Sequence, residues 1–228
     1  MDGYGQFCPV AKTAEVLCER WAVLIVRELL CGSLRFSEIQ RGVPRISPGL
    51  LTKRLRSLED AGVVERRATE RGADYVLTAA GWELFPIVQA MGVWGQRWAR
   101  SRYTPDELDP ALLMWDMRRM LQPVGLADAR TIVQFRFSAA PVGKSTYWLV
   151  VDGAIDLCLV DPSFPVDLVV RADLRSLTAV WMGDRTIREA LADGGVVLDG
   201  PRALVRRFPA WLGQHPVLAD VGPAVSIG

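Results

Sequence analysis

The amino-acid sequence predicts two domains: a mainly α-helical first half that contains a β-hairpin, then an α+β domain with a largely antiparallel sheet and packed helices. Helix-period apolar positions dominate the first hundred residues. A polar stretch with two prolines, residues 101–110, follows, and beyond it apolar strand segments are grouped with shorter helical patterns. With 228 residues, half of them hydrophobic, each half can bury a core. We therefore place the domains at residues 1–102 and 103–228.

The charge distribution and the cysteine content limit which partners, cofactors and cellular compartment we expect. The formal net charge is +1, but basic residues exceed acidic ones in the first half and the reverse holds in the second. The first half is therefore the better candidate to contact a polyanion. The four cysteines have no CxxC spacing and the only histidine is His215, so we predict neither a metal site nor a cofactor. Without a signal-like start or a membrane-length apolar run, we expect a cytoplasmic protein with free thiols.

The first half contains a series of helices with recognisable ends. Helical periodicity predicts helices at residues 10–17, 21–30, 36–41, 47–61 and 78–100. Ser37, Ser47 and Thr78 suit N-cap positions, and Pro48 suits the first helical position after its cap. Pro86 lies inside the last of these helices, and we expect it to bend that helix.

The second half combines strands and helices in an α+β order. The patterns predict a helix at 111–121, strands near 131–137, 145–151, 155–160 and 167–171, helices from 173 and 186, a strand at 196–198 and a last helix from 201.

The helix at 47–61 separates an apolar face from a polar, basic one. At 100° per residue its leucines at 51, 55 and 58 share one side, and the opposite side carries Gly49, Thr52, Lys53 and Arg56. A basic helix surface is often merely solvated. Here, however, a short helix precedes it across a tight turn at residues 42–44, which is the helix-turn-helix arrangement whose second helix enters the major groove.

A hairpin formed by strands at 63–67 and 74–77 follows this helix and adds three arginines. Arginines on such a hairpin suit the phosphate backbone or the minor groove, in the manner of a wing. The sequence thus predicts a winged helix-turn-helix domain, and our candidate DNA contacts are Arg45, Ser47, Pro48, Gly49, Thr52, Lys53, Arg56, Arg66, Arg67 and Arg71.

The segments "CPVAKTAEVLCERWAVLIVRELL", "RFSEIQRGVPRISPGLLTKRLRSLEDAGVVERR" and "YVLTAAGWEL" together resemble HxlR-type winged helix-turn-helix transcriptional regulators over residues 7 to about 100. The resemblance implies a homodimer that places two recognition helices on a near-palindromic double-stranded DNA operator. It also implies an interface built from residues 7–17 and the 78–100 helix, with Trp94 and Trp98. Packing of these tryptophans inside one chain is an equal alternative.

Cys8 precedes Pro9 at the start of the first predicted helix, where the positive end of the helix dipole favours a thiolate. Some HxlR-type regulators use a cysteine at the matching position to sense reactive compounds, so Cys8 is a candidate sensor thiol. The alternative is a small, partly buried residue at the helix start without a redox role.

No catalytic signature is present in the second half: it has no GxSxG, HExxH, P-loop or GxGxxG motif, so we predict no enzyme. Its element order resembles a sterol carrier protein-like domain over residues 109–212, which implies an apolar cavity for a hydrophobic small-molecule effector. Trp148, Phe164, Trp181 and Met182 are the candidate lining residues, with ordinary core packing as the alternative.

These observations favour a dimeric, sequence-specific DNA-binding transcriptional regulator that responds to a hydrophobic ligand. The rival hypotheses are a lipid or small-molecule carrier whose first domain serves only protein association, and a regulator that senses oxidants or electrophiles through Cys8. An enzyme is the least favoured hypothesis.

Overall fold

A computed structural model describes residues 3–70, 72–99, 103–122, 130–141 and 143–212. Arg71 of the predicted hairpin turn and the histidine at position 215 lie outside these residues. The chain divides into two compact units, Met1–Gly92 and Val93–Gly228. We call them the N-terminal and the C-terminal unit.

The N-terminal unit contains the predicted helices and hairpin. Its elements are α1 (Pro9–Leu17), α2 (Ala22–Leu30), α3 (Phe36–Gly42), α4 (Pro48–Asp60), β1 (Val64–Thr69), β2 (Gly72–Leu77), α5 (Ala79–Trp82) and the first part of α6 (Phe85–Trp98). Two predicted N-caps are confirmed: the Ser47 hydroxyl accepts from the Leu50 amide at 3.3 Å, and the Thr78 hydroxyl accepts from the Gly81 amide at 3.1 Å.

Two details of these helices were predicted wrongly. Ser37 is not an N-cap, because α3 already begins at Phe36 and Arg35 takes the cap position. The Glu38 carboxylate accepts from the Arg35 amide at 3.0 Å, which satisfies an orphan donor of the first turn. Residues 78–100 are not one bent helix but two, α5 and α6, because proline has no amide hydrogen and is tolerated only in a helix's first turn, where Pro86 lies.

One apolar core fixes α2, α3 and α4 together in the N-terminal unit. The side chains that carry this core are fully or almost fully buried, and they include Ile25, Val26, Ile39, Val43, Ile46, Leu51, Leu55 and Leu58. β1 pairs antiparallel with β2, and the Tyr75 amide donates to the Leu34 carbonyl at 2.8 Å. The base of the hairpin is thereby bonded to the segment that leads into α3.

The C-terminal unit is an α+β fold around a mixed sheet. Its further elements are α7 (Pro110–Met120), β3 (Thr131–Ser138), β4 (Thr146–Asp152), β5 (Ala154–Cys158), β6 (Leu168–Asp173), α8 (Leu174–Trp181), α9 (Ile187–Ala192), β7 (Val196–Asp199) and α10 (Arg202–Trp211). The strand order is β5-β4-β3-β6-β7. Three of its pairs are antiparallel, as expected for a largely antiparallel sheet, but the central pair, β3 and β6, is parallel.

The core of the C-terminal unit lies between one face of this sheet and the helices. Phe135, Leu168 and Val170 from the strands and Met114 and Phe208 from the helices are 0–1% exposed there. Close packing of aromatic and aliphatic side chains on one sheet face is the usual basis of an α+β domain.

Tyr147 on β4 belongs to the same core. Its burial, and after that the negative charge of Asp109, raise the pKa of Tyr147 to about 12, because both disfavour the phenolate.

Among the described helices, none combines the length and the apolar character needed to cross a membrane. Within the same residues, no group of three or more histidine, cysteine or acidic side chains is placed to hold a metal ion.

Candidate nucleic-acid interface

The turn between α3 and α4 places the start of α4 at the protein surface. Val43 and Ile46 anchor this turn in the core, each 2% exposed, and the Ile46 amide donates to the Val43 carbonyl at 3.1 Å. Ser47 then caps α4, and Pro48 occupies its first position. The first turn of α4 is exposed as a result, with its amide groups and small side chains toward solvent.

The exposed face of α4 presents little bulk and two positive charges. A Cβ at Gly49 would have no atom within 4 Å, so this position leaves open space for a close approach. Lys53 and Arg56 are exposed and make no hydrogen bond or ion pair with the described residues. Thr52 is partly exposed, and its hydroxyl donates to the Pro48 carbonyl at 3.0 Å. Small, hydroxyl and basic side chains on one helix face suit base edges and phosphates.

The two described arginines of the hairpin differ in whether they are paired with a carboxylate. Arg67 binds Glu65 through two hydrogen bonds, Nε to Oε1 at 3.1 Å and Nη2 to Oε2 at 2.9 Å. This contact lowers the pKa of Glu65 and raises the pKa of Arg67, because each charged form stabilises the other. Arg66 is exposed, and no described residue pairs with it. Of the two, Arg66 has the charge available for a phosphate.

The structure therefore brings most of the predicted DNA contacts onto two neighbouring elements of one unit. Arg45, one of the predicted contact residues, is exposed just before α4, and Ser47 and Pro48 form the start of that helix. The predicted contact at position 71 lies outside the described residues.

Two features of this region were missed in the sequence. Glu28 on α2 is fully buried, where its carboxylate accepts from Arg27 Nη2 at 2.7 Å and from the Ser33 hydroxyl at 3.3 Å. Arg54 lies against the turn between α1 and α2 instead of facing solvent. The adjacent charged residues Arg27 and Glu28 inside a helix that is apolar elsewhere, "VRELL", were the available signal for Glu28.

A cavity of about 650 Å³ lies between the C-terminal half of α4 and α1. It is lined by Gly3, Tyr4, Ala14, Glu15, Val16, Cys18, Glu19, Arg20, Arg54, Ser57, Asp60 and Ala61. Charged and small apolar groups alternate in this lining, and nothing in the sequence pattern predicted it.

Several large apolar side chains are exposed on α6 and before α1. Phe7 is wholly exposed, and Ile87, Met91, Trp94 and Trp98 are 42–61% exposed. Cys8, the predicted sensor thiol, is the N-cap residue of α1 and is partly buried. None of the described cysteines forms a disulfide bond.

The four candidate pocket residues of the C-terminal unit do not converge. Trp181 belongs to the core, and its indole Nε1 donates to Asp116 Oδ2 at 2.7 Å. Trp148 is buried too, but its neighbours Tyr147 and Leu149 carry the core face of β4, so strand alternation places Trp148 on the other face.

The other two candidates also differ in their surroundings. Phe164 is 42% exposed, with the Arg130 guanidinium 4.5 Å from its ring centre. Met182 packs against the core beside Trp181.

A helix-turn-helix whose second helix exposes a basic face, followed by an arginine-bearing hairpin, defines a winged helix-turn-helix protein of the DNA-binding class. Residues 16–103 match the HxlR-like helix-turn-helix family, and the chain belongs to that family.

Relatives from Bacillus subtilis strain 168 include the HTH-type transcriptional regulators YvaP and YodB. YvaP is 40% identical over 97 residues, which are 41% of this chain and 90% of YvaP. YodB is 36% identical over 94 residues, 40% of this chain and 84% of YodB. A solved structure of reduced YodB from B. subtilis is 33% identical and has a TM-score of 0.37, covering 42% of this chain and 97% of that one. These relatives are helix-turn-helix regulators and not enzymes.

Proposed function

We propose that the protein is a sequence-specific, DNA-binding transcriptional regulator that acts as a cytoplasmic homodimer. The observation that carries the proposal is the exposed face of α4, where Lys53 and Arg56 have no partner among the described residues and Gly49 leaves open space. An exposed, unpaired basic face on the second helix of a helix-turn-helix is what major-groove binding requires. Family membership over residues 16–103 supports the same conclusion.

We infer different roles for the exposed residues of α4 and for those of the wing. Gly49, Thr52 and Lys53 lie on the N-terminal half of α4, the part of a recognition helix that contacts base edges. Arg66 on the wing suits the phosphate backbone, which carries no sequence information. Changes on α4 should therefore alter sequence preference, and changes on the wing should weaken binding to every duplex.

The exposed stripe on α6 supports the homodimer. Ile87, Met91, Trp94 and Trp98 are separated by four, three and four residues, which is the spacing of one helix seam. Large exposed aromatic and aliphatic side chains in such a row are costly in water and typical of an interface between subunits. A second copy of the chain is the occupant that the resemblance implies.

DNA binding is tested by fluorescence anisotropy with a labelled duplex from upstream of the protein's own gene and with duplexes enriched from a random pool. Wild type should bind an enriched duplex far more tightly than a scrambled one, with affinity that falls steeply as salt rises. The Lys53→Ala/Arg56→Ala variant should lose this binding. Equal, salt-insensitive binding of wild type to all duplexes would refute the proposal and favour the carrier hypothesis.

The dimer is tested by sedimentation velocity on wild type and on a Met91→Glu/Trp94→Glu variant. Wild type should sediment as a dimer and the variant as a monomer, because buried unpaired carboxylates oppose association. A Lys53→Glu variant is the matched control, since its new charge lies on the exposed face of α4, away from the stripe. A monomeric wild type at micromolar concentration would contradict this part of the proposal.

We further propose that the C-terminal unit binds a hydrophobic small-molecule effector between its sheet and helices, near Trp181 and Met182, in the manner of a sterol carrier-like domain. Support comes from the predicted order of elements, strand, helix, helix, strand and helix, which β6 to α10 follow. An apolar dye that binds the full chain, and a Met182→Asp variant that abolishes dye binding, would agree with this site. Dye binding that the variant leaves unchanged would contradict it.

Redox or electrophile sensing through Cys8 is the alternative form of regulation. Its position at the start of α1, within residues 7–17 proposed for dimer contact, favours it. Under this alternative, a thiol oxidant lowers the DNA affinity of wild type and leaves that of Cys8→Ser unchanged. Equal responses of the two proteins would exclude Cys8 as the sensor.

A further inference from the structure

Arg54 differs from the other basic residues of α4 in where its side chain lies. Lys53 and Arg56 are exposed, whereas only 12% of the Arg54 side chain is accessible. At roughly 60° from Leu51 around the helix, Arg54 borders the buried face. It therefore does not share the surface at which Lys53 and Arg56 are available to DNA.

The Arg54 guanidinium makes two directed contacts with one short segment. Its Nε donates to the Arg20 carbonyl at 2.9 Å, and its Nη2 forms an ion pair with Glu19 Oε2. A planar guanidinium that uses two nitrogens on two acceptors fixes both the position and the orientation of the groups it joins. Both acceptors belong to the turn between α1 and α2, so the middle of α4 is bonded to that turn.

This turn has an unusual backbone that the contact stabilises. Trp21 adopts a left-handed conformation with φ of 81°, which is unfavourable for a bulky residue other than glycine. The Arg20 carbonyl that Arg54 binds belongs to the peptide group immediately before Trp21. The Arg20 guanidinium also lies 5.1 Å from the Trp21 ring centre. Arg54 thus helps to keep the turn in one arrangement.

We propose that Arg54 and Glu19 are positioning residues for DNA recognition, which fix α4 to the turn between α1 and α2 without contacting DNA. This inference rests on the proposed function. Because α1 belongs to the proposed dimer contact, the Glu19–Arg54 pair joins the recognition helix to the element that sets its place in the dimer. Base contacts need this alignment, whereas phosphate contacts tolerate more variation.

The experiment uses full-length protein and a duplex that wild type has enriched from a random pool, together with its scrambled counterpart. Dissociation constants are measured by fluorescence anisotropy over a salt series for wild type, Arg54→Gln, Glu19→Gln and the double variant. Arg66→Ala serves as the control for a residue that contacts a phosphate. Circular dichroism melting curves set a temperature at which every variant is folded.

Arg54→Gln and Glu19→Gln are each expected to weaken binding to the enriched duplex about tenfold, and to the scrambled duplex less than about twofold. The double variant should be no weaker than either single variant, because the pair acts as one unit. The salt slope should stay at the wild-type value. Arg66→Ala should instead weaken both duplexes and lower the slope by about one.

Three results would overturn the inference. An equal loss on both duplexes with a slope lowered by about one would make Arg54 a phosphate contact. Unchanged dissociation constants with a lower melting temperature would limit the pair to stability. Additive effects of the two substitutions would show that they act independently.

Failure of the proposed function gives a different result, since wild type itself would then show no preference for the enriched duplex. If Arg54→Gln does not fold, the Glu19→Gln variant provides the test. Glu19 is partly exposed, and the carboxamide of the glutamine that replaces it has nearly the same shape as the carboxylate.

Discussion

Replacing Gly42 by alanine is expected to destabilise the N-terminal unit by about 2–4 kcal/mol. A Cβ at Gly42 would lie 1.9 Å from both Cδ and Oε2 of Glu28, where ordinary contacts begin near about 3.5 Å. The Glu28 carboxylate is fully buried and would have to move by more than about 1 Å. Such a movement breaks its hydrogen bond from Arg27, which is now 2.7 Å long.

The magnitude follows from two opposing contributions. Separating a buried carboxylate from its partner costs about 3–5 kcal/mol. The better helix propensity of alanine stabilises the folded state by at most about 1 kcal/mol, and by less here because Gly42 is the last residue of α3. A net loss of this size is a large part of the stability of an ordinary domain, roughly 5–15 kcal/mol.

Urea denaturation of the full chain, followed by circular dichroism, measures this loss. Gly49→Ala is the matched control, because it makes the same substitution in a helix of the same unit where no atom lies within 4 Å. The control should unfold at the wild-type urea concentration or slightly above it. If Gly42→Ala proved as stable as Gly49→Ala, the Glu28 carboxylate would not be confined as the structure indicates.

Three further predictions concern DNA binding and pH. The same Gly49→Ala variant should weaken specific DNA binding by roughly tenfold, which is the loss typical of one mismatched base pair, because its methyl group occupies the open space on α4. An unchanged affinity would mean that DNA does not approach α4 at this position. Arg66→Ala should lower the salt slope by about one, and Arg67→Ala by less, because only Arg67 is neutralised by a neighbouring carboxylate; salt-series anisotropy separates the two. Because the pKa of Tyr147 is about 12 in the folded protein and about 10 when unfolded, the unfolded state alone loses this proton between those values, and stability should fall as pH rises from 10 to 12. The fall should reach up to about 2 kcal/mol, and Tyr147→Phe should show a shallower pH dependence in urea titrations.

Much of the fold was predictable because local signals agreed with the tertiary structure. Ser47 with Pro48, and the leucines that follow at helical spacing, specify the start of α4 and its buried face. The strand and helix order of the C-terminal unit followed from apolar patterns in the same way. The parallel pairing of β3 with β6 was not predictable, since strand direction depends on how the chain returns after β5 and not on the composition of either strand.

The candidate site was predictable only in part, because sequence shows which residues are basic but not which of them are already paired. Lys53, Arg54 and Arg56 occupy one helix, and the sequence alone does not show which of them has a partner. A rotation of 100° per residue separates Arg54 from the other two and directs it to Glu19, a partner 35 positions earlier in the chain. The same reasoning applies to the pocket candidates, since Trp148 lies on the face of β4 that points away from the core, whereas Trp181 on α8 lies in the core.

The near-zero net charge of the chain does not argue against DNA binding, because affinity depends on unpaired charge at the contact surface. Arg54 and Arg67 are paired with carboxylates, whereas Lys53, Arg56 and Arg66 are not paired with any described residue. A protomer that places Arg56 and Arg66 on phosphates contributes a slope of about −1.8, and a dimer about −3.6, to the logarithm of affinity against the logarithm of salt concentration. A measured slope much shallower than −3 would mean, by the same rule, that only one subunit engages the duplex, or that these side chains do not reach the phosphates.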